Sequence, residues 1–230
     1  MKTIGLIGGM SWESSAEYYR MINRHSKALH GGHHNAKSVL VTVDFAEIEA
    51  LQRTHDWAAL GERMADAARQ LEAAGADLVV LTTNTMHRVH DAIEAAVTLP
   101  FLHIADPTGS ALRAAGVERV ALLGTRYTME LPFYAARLRE KFGLDVLVPD
   151  EPGRDDVHRI IYDELCHGVI STQSCATYVS IIDALATRGA QAVILGCTEI
   201  TLLIGADDSP LPVFDTTALH AKAAVEWAAR

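Results

Sequence analysis

The most restrictive feature of this 230-residue chain is that it repeats itself. The segment GADLVVLTTNTM, beginning at Gly75, aligns without gaps on GAQAVILGCTEI, beginning at Gly189. Val79, Val80 and Leu81 fall on Val193, Ile194 and Leu195, and Thr83 falls on Cys197. Two further echoes keep the same order. Ile4-Gly5-Leu6-Ile7-Gly8-Gly9 resembles Val120-Ala121-Leu122-Leu123-Gly124-Thr125, and Leu99-Pro100-Phe101 resembles Leu211-Pro212-Val213. Gly8 to Gly124, Thr83 to Cys197 and Pro100 to Pro212 are 116, 114 and 112 residues apart. An offset that drifts so little implies two related halves, residues 1–115 and 116–230, divided near Gly116, with the C-terminal segment free to pack back onto the first half.

Each half alternates short apolar runs with longer stretches of helical period. Strands are predicted at Ile4 to Ile7, Ser38 to Val43, Leu78 to Leu81, Phe101 to Ile104, Val120 to Leu123, Asp145 to Val148, Ala192 to Leu195 and Val213-Phe214. Helices are predicted at Glu13 to Lys27, Trp57 to Ala74, Thr108 to Ala115, Tyr134 to Phe142, Val157 to Cys166 and Thr177 to Arg188, most of them closed by a glycine. That alternation specifies an α/β fold: two pseudo-symmetric α/β domains with mostly parallel sheets. In parallel sheets ligands gather outside the carboxyl ends of the strands, so Thr83 and Cys197 are expected to line an active site in an inter-domain cleft.

Composition removes several function classes. A formal charge of −9 without any basic run gives no electrostatic footprint for nucleic acid or an anionic membrane. No apolar run approaches the roughly 18 residues a bilayer requires. The start, MKTIGLIGG, reads as a first strand and is too short and glycine-rich for a signal peptide, so a cytoplasmic location is expected. There Cys166, Cys175 and Cys197, an odd number without metal spacing, remain thiols. His30, His33 and His34 lack a second ligand set and read as an exposed loop; no metal is expected.

Four strand ends carry polar groups. The turn Gly8-Gly9-Met10-Ser11 lacks both the dinucleotide fingerprint and the P-loop lysine, but its N–H groups suit a carboxylate. Asn84 and Thr85 follow Thr83. Thr125 and Thr128, in LLGTRYTM, either donate to a carboxylate or cap the next helix. Cys197 stands where a strand meets a helix, a position that favours a thiolate and brings a cysteine below its free pKa of about 8.5. Thr198 and Glu199 beside it can bind substrate or position the thiol, and Glu199 can equally stabilise the helix start.

IGLIGGMSWES, TTNTMH, LLGTRYTM and GCTEI, in this order and spacing, resemble the aspartate/glutamate racemase family of pyridoxal-phosphate-independent amino-acid racemases. The likeness runs over essentially the whole chain. It implies two pseudo-symmetric domains, commonly a homodimer, no cofactor, and two cysteines that exchange a proton on opposite faces of an amino acid's α-carbon. Carried over residue by residue, Cys197 matches the second catalytic cysteine and the base toward the L-enantiomer. Asn84 and Thr85 match the polar pair after the first cysteine, Thr198 the threonine beside the second, and Gly9, Met10 and Ser11 the first substrate loop. Gln52, in VDFAEIEALQR, falls where relatives place a polar or basic substrate contact. Some members carry a lysine near the position of Glu164; none is present here. The largest departure is Thr83, which replaces the first cysteine, so the two faces are unequal. The function implied is racemisation of aspartate, glutamate or a broader set of amino acids. The alternatives are a single-cysteine decarboxylase or dicarboxylate isomerase of the same fold, and a non-catalytic amino-acid-binding protein.

Overall fold

The computed structural model describes all residues, Met1–Arg230. By its internal contacts the chain forms two units. The first comprises Met1–Ile104 and His220–Arg230; the second comprises Ala105–Leu219.

In the first unit the strands are β1 (Ile4–Gly8), β2 (Ser38–Thr42), β3 (Leu78–Leu81) and β4 (Phe101–Leu102). They form one parallel sheet in the order β2-β1-β3-β4. The helices are α1 (Trp12–His30), α2 (Phe45–Arg53), α3 (Trp57–Ala73) and α4 (His90–Ala96), the last entered through a 3₁₀ turn, Thr85–Val89. Side chains of Ser11, Asp44 and Asp56 accept the first free N–H groups of α1, α2 and α3, which is why those helices begin where they do. Strands β1 and β3 are buried along their whole length, as their uninterrupted apolar runs require of a sheet covered on both faces. One face packs Ile7, Val79 and Leu81 with Leu60, Met64 and Leu71 of α3. The other packs Ile4, Leu6, Leu78 and Val80 with Tyr18 and Ile22 of α1.

The second unit contains α5 (Ala105–Ala114), β5 (Arg119–Gly124), α6 (Arg126–Glu130), α7 (Pro132–Phe142), β6 (Asp145–Leu147), α8 (Glu151–Arg159), α9 (Thr172–Thr187), β7 (Ala192–Gly196) and β8 (Val213–Asp215). Its sheet, again fully parallel, has the order β6-β5-β7-β8. The same winding recurs in the same sequence order, which gives the sequence echo its structural meaning. Helix α5 belongs to this unit, and its side chains explain why. Asp106 accepts from Arg137 and Lys141 of α7, and Gly109 leaves just enough room for the Phe142 ring, 2.3 Å from where a Cβ would lie. The division therefore falls before α5, at Ile104–Ala105, whereas Gly116 lies beyond its end.

All eight predicted strands form, and the sequence reading differs from the structure in the helices. The stretch expected as a helix from Val157 to Cys166 is the tail of α8, which starts earlier, capped by Asp150 with Pro152 in its first turn. It then widens into a π turn over Ile160–Glu164 and tightens into a 3₁₀ turn over Leu165–His167. Proline and glycine at 152 and 153 hid the start, although proline is tolerated in a first turn. Helix α10 (Thr216–Ala228) was not anticipated. From His220 onward it belongs to the first unit, where Ala221, Ala224, Val225 and Ala228 lie against Ile4, Leu6, Leu78 and Val80.

Candidate active site

A parallel sheet wound outward in both directions from two central strands leaves a crevice at their carboxyl ends. In the first unit those strands are β1 and β3, paired through Ile7 and Leu81. In the second they are β5 and β7, paired through Gly124 and Gly196. The predicted site residues of each unit cluster at these two positions.

At the end of β1 the chain turns at Gly9, whose φ of 96° is costly for any residue with a side chain. A Cβ here would also lie 2.2 Å from the Val43 carbonyl oxygen. The Gly9 N–H donates to Ser15 Oγ at 2.8 Å, and Ser15 Oγ lies 3.2 Å from Thr82 Oγ1. Thr82 Oγ1 in turn reaches the Ile7 carbonyl at 3.0 Å. This buried hydroxyl lattice locks the Gly9–Ser11 turn to the end of β3. Thr83, next in the chain, is half-buried, followed by buried Asn84 and Thr85 at the start of the 3₁₀ turn. The Thr83 carbonyl accepts from His87 Nδ1 at 2.7 Å, and His87 Nε2 accepts from the Ile104 N–H at 3.1 Å. The two bonds fix the neutral, Nδ1-protonated tautomer of His87 and tie the Thr83 turn to the end of β4. Gln52, on α2, is 3% exposed and donates to Met86 Sδ at 3.4 Å, so it borders the same turn.

Sequence reasoning did not single out Ser15, Thr82 or His87. A serine pair on what must be the buried face of α1 was the available signal for Ser15, and the TTNTMH motif itself contains His87.

In the second unit, Thr125 caps α6, its Oγ1 accepting from the Thr128 N–H at 3.3 Å and lying 3.2 Å from Thr128 Oγ1. Thr128 is fully buried against Gly124, whose hypothetical Cβ would approach it to 3.2 Å, so its side chain packs behind the strand end. Past β7, Cys197 keeps an extended backbone and the chain then enters a 3₁₀ turn, Thr198–Leu202. The Cys197 thiol donates to Glu199 Oε2 at 2.8 Å. Thr198 Oγ1 lies 3.1 Å from Thr217 Oγ1, and Thr216 Oγ1 donates to the Leu195 carbonyl at 2.9 Å, so the start of α10 braces the same strand end.

The electrostatics of Cys197 run opposite to the sequence expectation. Burial pushes the thiol well above the ordinary thiol range, and the Glu199 charge, the hydrogen bond to it and the nearby Cys166 add to the rise. Only the Glu199 N–H, aimed at the sulfur, works the other way, and it is the smallest influence. A single 3₁₀ turn supplies little dipole, and the carboxylate two residues on outweighs it. Across the unit Tyr178, on α9, is raised for related reasons: burial first, then the charges of Cys197 and Glu164. Glu164 is itself held below the usual carboxylate range, first by the Ser174 hydroxyl and then by Arg159 and Ser171, against the opposing effect of desolvation. Cys166, Cys175 and Cys197 are all free thiols, and His30, His33 and His34 are exposed.

The arrangement defines a class: an α/β protein of two like-wound units, with a hydroxyl-lined turn at one sheet's switch point and a thiol–carboxylate pair at the other's. The chain belongs to the Asp/Glu/Hydantoin racemase family, which matches residues 7–224. It is 54% identical to a candidate Asp/Glu racemase from Yersinia pestis, whose crystal structure superposes with a TM-score of 0.94 over 100% of both chains. An aspartate racemase homologue from Pyrococcus horikoshii OT3 is 33% identical, with a TM-score of 0.87 over 100% of both chains. The broad specificity amino-acid racemase RacX of Bacillus subtilis is 21% identical over 237 residues, covering 96% of each chain. No helix is long and apolar enough to cross a membrane.

Proposed function

We propose that the protein is a cofactor-independent amino-acid racemase in which Cys197 removes the α-proton of an L-amino acid and Thr83, through a water, returns a proton to the opposite face. The observation that carries this reading is the Cys197 thiol, half-buried at the end of β7 and hydrogen-bonded to a carboxylate, in a chain of the racemase family. A thiol and a carboxylate in contact form a proton-transfer pair, and a strand end at a switch point is where a substrate is held.

The rest of the site follows from what a carbanion needs. With no electron sink on the protein, charge developing at Cα spreads into the substrate carboxylate and is stabilised by fixed donors in a water-poor site. The reading assigns that task to the Gly9–Ser11 turn, to Asn84 and Thr85, and to the Thr125 and Thr198 hydroxyls, with Gln52 toward the substrate side chain. It requires that both strand ends serve one substrate. A threonine hydroxyl is a poor base, so Thr83 acts as a donor that water replenishes, and the two directions run at different rates. Relatives bear both aspartate and broad-specificity names, so aspartate and glutamate head a wider list of candidate substrates. The same reading makes the protein a cytoplasmic homodimer, which sedimentation checks for assembly.

Exchange of the α-proton in deuterated water, followed by NMR for each enantiomer, tests the proposal. Faster exchange from the L-substrates supports it; faster exchange from the D-substrates overturns the assignment of Cys197. Carbon dioxide release from a malonate would move the protein to a decarboxylase. Thermal stabilisation by amino acids with no exchange would make it a binding protein.

A further inference from the structure

We infer that Glu199 is the net base of the Cys197 half-reaction and that the cysteine is a relay between the substrate and this carboxylate. The inference deepens the racemase reading and rests on it. A carboxylate placed only to hold substrate would aim its oxygens at the ligand. Glu199 instead accepts the thiol's proton, Oε2 to Sγ 2.8 Å, from a side chain that is 8% exposed.

The groups facing Cys197 make this division of labour necessary. Cys166, on the 3₁₀ turn after α8, and Tyr178, on α9, lie close enough to interact electrostatically with the sulfur. Tyr178 also feels Glu164, and its own hydroxyl donates to the Val157 carbonyl at 3.3 Å. No cationic side chain is among these neighbours, and the Glu199 N–H, which favours a thiolate, is outweighed by burial and by the Glu199 carboxylate. The stable form of the pair is thiol plus carboxylate. An α-proton can leave only after the thiol gives up its own.

The proton count closes within the pair. The S–H bond of Cys197 breaks and an O–H bond forms at Glu199 Oε2, leaving a thiolate and a carboxylic acid. The thiolate then takes the substrate α-proton: the Cα–H bond breaks, its electron pair stays on the substrate, and the S–H bond is restored. The sum is one proton moved from Cα to the carboxylate, with the thiol regenerated. Reversal returns the proton to the same face. When the opposite face is protonated from the Thr83 hydroxyl, water restores that hydroxyl's proton, and Glu199 releases its own to water.

The decisive variant is Glu199→Gln, which keeps the size of the side chain and a hydrogen-bonding group but cannot take a proton. The expected result is a fall in kcat for exchange from the L-enantiomer of about 10²–10³-fold with little change in KM. At the same time the Cys197 thiol becomes more acidic because a neighbouring negative charge is gone. Alkylation of the intact protein by iodoacetamide against pH, read by mass spectrometry on the Cys197 peptide, should show its midpoint lower by about one unit or more. Glu199→Asp, which retains the carboxylate, should recover part of the exchange. A more acidic thiol together with lower activity is the signature of a lost proton acceptor. If Glu199→Gln retains exchange or gains it, the carboxylate is only a brake on the thiol and the inference is overturned. A rise in KM at constant kcat would return Glu199 to substrate binding and also overturn it. Should the wild-type protein exchange no amino acid, the racemase reading fails by itself, and the alkylation midpoint alone decides whether the pair is coupled.

Discussion

The ends of β3 and β7 occupy equivalent places in two equivalently wound sheets, yet they are wired for different work. After β3 the polar groups that hold the turn, Thr82, Thr83 and His87, are uncharged hydroxyls and an imidazole. Thr82 is tied to Ile7 and Ser15, and the Thr83 carbonyl is gripped by a neutral His87. After β7 the equivalent turn holds a thiol and a carboxylate that share a proton. The first arrangement holds shape well and stores no proton at neutral pH; the second can load and unload one. On the proposed racemase reading a duplicated scaffold thus presents a positioning end and a reacting end, on two sheets of the same winding.

The largest test of that contrast is Cys197→Ala. It should reduce exchange from the L-enantiomer by about 10⁴-fold, the upper range for losing a proton-transferring group, with the fold retained by circular dichroism. Retained exchange would mean that the second strand end is not the reacting one. Gly9→Ala attacks the positioning end. A Cβ 2.2 Å from the Val43 carbonyl at a φ of 96° must displace the turn, costing about 2–3 kcal/mol in chemical denaturation and raising KM. An unchanged KM would remove the Gly9–Ser11 turn from the substrate. Thr83→Cys erases the chemical difference. Exchange from the D-enantiomer should rise about 10- to 100-fold and approach the L rate; no rise would show that the hydroxyl was not the donor on that face.

The smallest effect is expected at an ion pair that includes none of the candidate site residues. Asp106 pairs with Arg137 at 2.6 Å and Lys141 at 2.7 Å. Desolvation alone would raise its carboxyl, but the hydrogen bonds and charges of those two cations prevail and hold it below the ordinary 3.8. Because the folded value is the lower one, the contribution is fully present above the unfolded value and disappears as pH falls below 3.8 through the folded value. Asp106→Asn should cost about 1 kcal/mol at neutral pH, a difference that vanishes in acid melts, and leave the exchange rates unchanged.

The central strands β1, β3, β5 and β7, two in each half, were legible because a strand buried on both faces is an unbroken apolar run. Helix α10 was not, because its buried apolar residues are three alanines and one valine, which give little contrast with the residues that face solvent. Thr83 and Cys197 were singled out by the echo together with the TTNTMH and GCTEI motifs. The bond from Cys197 to Glu199 left a fainter trace, an acid two residues past a cysteine where a strand ends and a turn begins. Contacts such as Tyr18 to His220, 202 residues apart and 2.9 Å between Oη and Nδ1, leave no local pattern to read.

The return of α10 to the first sheet also orders events during synthesis. Residues 105–219 form a contiguous unit, whereas the first unit is assembled from both ends of the chain. The unit begun first must wait. Its face of Ile4, Leu6, Leu78 and Val80 lacks its Ala221, Ala224, Val225 and Ala228 cover until the final helix emerges. Through the synthesis of residues 105–219 the earlier half therefore carries an apolar face that is only partly covered.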